Sequence, residues 1–185
     1  MARAVKLDYL HNMRFHVTAI GVGGIRPLEV NGPEAEAGFS AVTTPEATVE
    51  AVEYKEGQFL FTRKYPGHVT YGDVTMSRGI AKLDTQFYSW IDTVIMGTGE
   101  YRVDLSILHY HRDEALPGVH SAGLRDVTLL KAAAAAKTYY LYNALPVRCK
   151  LSSDLDATDS GVSIMELDVA YETAELRDPG RPNPT

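Results

Sequence analysis

The 185-residue sequence predicts a mainly β protein carrying a single α-helix. Three observations point there: apolar and polar residues alternate with period two in several short segments, turn-forming Gly and Pro clusters separate them, and one segment switches to a helical stripe.

The first strand is FHVTA at 15–19, where Phe15, Val17 and Ala19 share one face. The following GVGGIRPLEVNGPEAEAG is dense in Gly and Pro and reads as loop, with LEV able to pair briefly at an edge. Residues 48–54 and 58–63 are β-branched and aromatic and flank Lys55-Glu56-Gly57, which predicts a hairpin over about 48–63. Tyr65-Pro66-Gly67-His68 reads as a turn, because Pro presets φ and Gly is free to take a positive one. VTYGDVTMSRGI then reads as one strand, with Val74, Met76 and Ile80 on a common face.

The period next changes. Phe87, Trp90, Ile91, Val94 and Ile95 fall at i, i+3, i+4, i+7 and i+8, one apolar stripe on a helix of about 84–96. Asp84 is placed to cap its amino end, Leu83 and Tyr88 to staple it, and Gly97 to stop it in the left-handed conformation. Alternation resumes at 101–110, where Val103, Leu105 and Ile107 interleave with Asp104 and Ser106. Residues 109–136 read as an insertion: a polar HRDEALPGVHSAG followed by LRDVTLLKAAAAA, whose composition favours helix.

Two strand-like segments, 137–145 and 147–151, flank Pro146, which predicts a bend or an edge. SSDLDATDSG is a loop. In the last strand, 162–171, Val162 and Ile164 occupy one parity before Met165, Leu167, Val169 and Tyr171 take the other. That switch predicts a strand that bulges and passes between sheets, or one whose outer face is an interface. The length suits a single domain over 1–177 with a flexible Pro-rich tail at 178–185.

Composition narrows the function. With 45% hydrophobic and 23% charged residues the chain has the means to build a core. A net charge of −6 argues against nucleic-acid binding as its main task, since that affinity comes chiefly from Lys and Arg. The lone Cys149 excludes an intrachain disulfide and a thiolate-rich zinc site. No apolar run reaches the roughly 18 residues of a membrane span, and the N-terminus lacks the apolar stretch of a signal peptide, so a soluble cytoplasmic protein is expected.

Catalytic constellations are sparse. Gly21, Gly23 and Gly24 open like a dinucleotide loop, but Arg26 stands where the third glycine belongs. His109, His111 and His120, with Asp104 or Asp113, offer metal-ligand types without a completing motif. Ser121 beside His120 lacks the GxSxG elbow. The i, i+2 pairs Asp154/Asp156 and Glu166/Asp168 fit a solvated face better than a calcium loop. Cys149 reads as a small buried side chain. Tyr139, Tyr140 and Tyr142 suit subunit packing as well as stacking on bases or sugars.

The order of the motifs resembles the tail tube proteins of contractile phages and extracellular contractile injection systems, the gp19-like family. FHVTAIG, AGFSAV and VEYKEG are similar to that family's opening. KYPGHVTYGDVTMSRGI followed by FYSWI is similar to its Pro-Gly turn, its strand ending in Arg-Gly and its Trp-bearing helix. VDLSIL, YNALPVRCK with its Asn-Ala-x-Pro bend, DLDA and SIMELDVAYE complete the likeness, which covers roughly 15–108 and 138–172 and departs at 109–137.

The resemblance implies two orthogonally packed antiparallel sheets forming a barrel-like sandwich with a flanking helix. It implies hexameric rings whose strands close a continuous inner β-barrel and which stack into a tube. The expected partners are further copies of the chain, a sheath protein, baseplate and tube-terminating cap proteins, and cargo or phage DNA in the lumen; no direct membrane insertion is expected. Assembly is expected in the bacterial cytoplasm, for a phage tail or a released or cytoplasmic contractile injection particle. No catalytic, cofactor or metal site is implied. The structural and interface candidates are Pro66, Gly67, Arg78, Gly79, Trp90, Asn143, Pro146 and Glu172, with the 48–63 hairpin as a ring-to-ring contact. The alternatives are a tube-initiating ring at the baseplate and a small metal-dependent enzyme built around His109 and His111.

Overall fold

The computed structural model describes residues 10–21, 38–57, 60–80, 84–111, 135–155 and 160–178. Among them run β1 (Phe15–Gly21), β2 (Ala41–Val42), β3 (Ala47–Tyr54), β4 (Arg63–Tyr71), β5 (Val74–Gly79), α1 (Gln86–Met96), β6 (Val103–His109), β7 (Lys137–Lys150), β8 (Ile164–Ala170) and β9 (Thr173–Arg177). All pairings are antiparallel. The mainly β architecture with one helix is the one the alternation predicts. Most of the 109–136 insertion and the tail beyond Asp178 lie outside the described residues.

The long strand β7 belongs to two sheets. Its first part lies between β6 and β9, with β1 beyond β6, and its last part pairs with β8, which continues to β5 and β2. Two bulges let it make the passage. Tyr142 and Asn143 together face Asp104 alone, because Val103 pairs with Ala144 and Leu105 with Leu141. Val147 is the second extra residue, between Pro146 opposite Val169 and Arg148 opposite Asp168. Each bulge bends the strand, adds twist and shifts its parity by one. The core-facing residues follow suit: Tyr139 and Leu141, then Ala144 and Pro146, then Cys149.

Two segments expected around Pro146 are thus one bent strand, and the bend is where Pro146 predicts it. A proline is tolerated beside a bulge because the missing N–H leaves no broken rung. The parity switch expected to kink 162–171 has a different cause. Residues 164–169 pair with β5 without a register shift, and Val162 simply precedes the strand, exposed. The strand that passes between sheets is β7.

One core joins both sheets and the helix: Val17, Val74, Met76, Phe87, Trp90, Leu105, Leu141, Leu167 and Val169 are among its buried members. Each fully buried Leu or Val in such a core contributes about 1.5–3 kcal/mol. Helix α1 turns only part of its stripe inward. Phe87 and Trp90 are buried, Ile91 and Val94 half-buried, and Ile95 remains 69% exposed.

The helix ends as its sequence predicts and begins otherwise. Gly97 takes φ 62°, and the N–H groups of Gly97 and Thr98 reach back to the carbonyls of Val94 and Thr93, the left-handed stop that glycine favours. At the start Thr85 occupies the cap position without a side-chain capping bond. Asp84, expected there, is instead paired with Arg78. Leu83 lies outside the described residues.

β3 and β4 form a separate two-stranded ribbon. A hairpin forms, but its return strand is not 58–63: Tyr54 faces Arg63, residues 60–62 belong to no strand, and the return strand runs from Arg63 to Tyr71. The Pro-Gly segment is therefore not a turn. It lies inside β4, where Gly67 and His68 oppose the single residue Glu50 in a bulge. The continuous strand expected after it is broken at Gly72-Asp73, where the chain leaves the ribbon for β5.

Candidate assembly surfaces

The eight candidate residues fall into three places. Pro66 and Gly67 lie in the ribbon. A Cβ on Gly67 would stand 2.9 Å from Val52 Cγ2 and 3.1 Å from the Glu50 carbonyl oxygen, so close approach of the two strands, not a turn, requires glycine. Every residue of β3 is exposed. Val49, Val52, Tyr54, Tyr65 and Val69 are all about half exposed, and the tip carries Leu60 at 97% and Phe61 at 82%. The base is fastened to the body: Tyr171 Oη donates to the Glu46 carbonyl at 3.4 Å, and its ring packs 5.5 Å from Tyr71.

Arg78, Gly79 and Trp90 belong to the second place, under α1. Arg78 shares the inward parity of Val74 and Met76 on β5 and is 1% exposed. Its Nη2 pairs with Asp84, Nε reaches Met165 Sδ at 3.4 Å, and the guanidinium lies 3.9 Å over the Phe87 ring. Nη1 has no hydrogen-bond partner among the described residues. Burial lowers the Arg78 pKa from its ordinary value, against the opposing pull of Asp84 and Cys149. Trp90 donates Nε1–H to the Tyr101 carbonyl at 2.7 Å, the partner a buried indole needs. Both side chains support the subunit from within. Gly79 opposes Ile164 at the end of β5, and a Cβ there would meet Val162 at 3.4 Å.

Asn143 and Glu172 come together at the β7 corner, while Pro146 lies further along the strand at its second bulge, opposite Val169. Asn143 is the non-glycine residue with a positive φ, 53°, among the described residues, a conformation Asn accepts more readily than most. The bulge removes its N–H from the ladder, and Asp104 Oδ1 accepts that N–H at 3.0 Å. Its Nδ2 donates to Glu172 at 2.8 Å, and Glu172 also pairs with Arg102. Arg102 Nη1 reaches the Asn143 carbonyl at 3.3 Å, and the Glu172 N–H donates to the Tyr142 carbonyl at 3.1 Å. Sequence reasoning missed Arg102 as a partner here. A cleft of about 400 Å³ beside the corner is lined in part by Glu100, Arg102, Asp104 and Asn143.

The residues singled out for chemistry find ordinary partners. His109 Nε2 meets the His11 carbonyl at 3.0 Å, and no three His, Cys, Asp or Glu side chains among the described residues converge to hold a metal. His120, Ser121, Asp113 and Asp156 lie outside the described residues. Glu166 and Asp168 project from β8 toward Arg148, at 3.5 and 2.8 Å. Burial pushes the Cys149 thiol up, only partly opposed by Arg78, the opposite of an activated nucleophile. The tyrosines divide between faces: Tyr139 packs on the core, while Tyr140 and Tyr142 stack outward, capped by Arg177 4.7 Å over Tyr140.

What the geometry offers, then, is an exposed apolar ribbon on a firmly packed two-sheet body. Solved structures share this fold across nearly the whole chain. A chain in the cryo-EM structure of the anti-feeding prophage baseplate is 20% identical with TM-score 0.63, covering 90% of this chain and 93% of that one. One in the anti-feeding prophage tube terminating cap is 16% identical with TM-score 0.67, covering 95% and 96%. One in the extended sheath–tube complex of PVC, an extracellular contractile injection system, is 17% identical with TM-score 0.66, covering 94% of each. No curated protein matches by sequence. A family of structural tube proteins, not enzymes, matches residues 11–175, spanning every strand but the last two residues of β9. The chain belongs to the family of T4-like virus tail tube protein gp19.

Proposed function

We propose that the protein is the repeating subunit of an inner tube, assembling as hexameric rings that stack around a lumen holding cargo or conducting DNA. The observation that carries this reading is the β3–β4 ribbon. A two-stranded hairpin is at best marginally stable in water, and this one leaves both strands unflanked and its apolar tip in solvent. Packing on a neighbouring ring would cover it. Lateral closure of the two sheets into a barrel would remove the edges of β1, β2 and β9 as well. The body packs as an orthogonal sandwich, and its outer surface meets a sheath, its ends a baseplate and a cap.

Such a tube works mechanically, driven through a target envelope by sheath contraction, so its residues supply interfaces that stay closed under load. Electron microscopy of the purified chain tests the proposal: hollow tubes or rings support it, and a persistent monomer at high concentration overturns it. Leu60→Ser combined with Phe61→Ser separates the two contacts, with rings expected to form and stacking expected to fail.

A further inference from the structure

We infer that Arg102, Asp104, Asn143 and Glu172 form a corner clamp that fixes the angle between the two sheets, and through it the curvature of the ring; this second part rests on the tube reading. The clamp gathers residues from three separate segments. Arg102 precedes β6 and Asp104 lies within it, Asn143 sits in the bulge of β7, and Glu172 links β8 to β9. These are the segments whose relative directions define the passage from one sheet to the other.

The bulge alone does not specify an angle. It frees the Asn143 N–H from the ladder and places the residue at φ 53°, a conformation that costs a non-glycine residue on the order of 1–2 kcal/mol. The surrounding groups hold it. Asp104 takes the freed N–H, Arg102 the carbonyl, and Glu172 the side-chain amide. Glu172 in turn is tied to Arg102 and, through its own N–H, to Tyr142. The backbone N–H and carbonyl of the strained residue are thereby bound to the start of β6 and its side-chain amide N–H to the β8–β9 link, so a change in sheet angle breaks bonds at several points at once.

The ion pair is exposed, 42% for Arg102 and 53% for Glu172. Exposed pairs contribute about 0–1 kcal/mol, so its value is geometric, not energetic. A closed ring tolerates little error in the angle between neighbours, because the same deviation repeats at every subunit and alters the number that closes.

Arg102→Ala, Glu172→Ala and the conservative Arg102→Lys test the clamp. Both alanine variants are expected to unfold within about 4 °C of the natural protein and to give a roughly twofold wider spread of tube diameters by cryo-EM, whereas Arg102→Lys keeps a donor for the Asn143 carbonyl and a cation beside Glu172 and is expected to retain the natural spread. Residual dipolar couplings on the isolated subunit supply a readout independent of assembly: the relative orientation of β6 and β8 is expected to change in the alanine variants and to be kept in Arg102→Lys. Unaltered diameters and unaltered couplings in both alanine variants overturn the inference, as does an Arg102→Lys variant that matches Arg102→Ala in both. A natural protein that never forms tubes defeats the tube reading, and the couplings then still decide the clamp.

Discussion

Arg78 and Asp84 hold each other in an ion pair almost wholly withdrawn from water, each side chain 1% exposed. It joins the end of β5 to the entry of α1, and the guanidinium covers Phe87, whose ring lies 6.1 Å from that of Phe39. Losing one partner strands the other charge in the interior, which costs about 3–5 kcal/mol. Arg78→Ala and Asp84→Ala are each expected to lower unfolding free energy by that amount in urea titration. Arg78→Met with Asp84→Leu is expected to recover most of the loss, because no buried charge remains. Trp90, the only tryptophan, reports the transition by fluorescence.

Gly67→Ala separates ribbon from body. The added Cβ cannot stand 2.9 Å from Val52 and 3.1 Å from the Glu50 carbonyl, so the strands must part locally, at about 1–3 kcal/mol. Since the ribbon is not part of the main sheet, the midpoint of global unfolding is expected to stay near that of the natural protein. Assembly into tubes is expected to fail or to need markedly higher protein concentration. Light scattering checks the second outcome and calorimetry the first.

Asp168 gives an acid limb to stability. Burial, the largest single influence, raises its pKa, but hydrogen bonds from Arg148 and Thr75 and the Arg148 charge together outweigh it, and the carboxyl titrates below its ordinary value. A depressed folded pKa means stability that is present above the unfolded pKa, about 3.9, and is lost as pH falls through the folded one. Asp168→Asn is therefore expected to reduce stability at neutral pH and to flatten its decline below about pH 4. Unfolding titrations between neutral and acid pH check this, and parallel curves for the two proteins would refute it.

The residues that were legible locally are those whose signal is local. Phe87 and Trp90 are three apart and face one way in any helix, and Gly97 stops the helix through its own φ. Asp84 shows the limit. Its position before the helix is that of a cap, yet a buried arginine six residues earlier competes for the same carboxylate and wins, because an unpaired buried guanidinium costs more than an uncapped helix end. The Pro66-Gly67 pair fails similarly: a turn needs only two residues, but β3 pairs past it, so that Pro66 lies opposite Ala51 and Gly67 joins His68 in a bulge. In β7 the shifts of parity at Asn143 and Val147 are present in the sequence as Tyr139 and Leu141, Ala144 and Pro146, then Cys149. They become readable once the partners Asp104 and Val169 fix the register.

Periodicity, backbone preference and motif order are properties of neighbours along the chain, and they suffice for the β-rich class, the position and end of helix α1, the existence of the hairpin, the bend at Pro146 and the family likeness. Which strand joins the two sheets, why Arg78 lies inside, and that Arg102 meets Asn143 and Glu172 emerge only from packing between distant segments. Those contacts span 41 and 70 residues, and at such separations a charged side chain finds its partner through the packing of whole sheets, which no local pattern records.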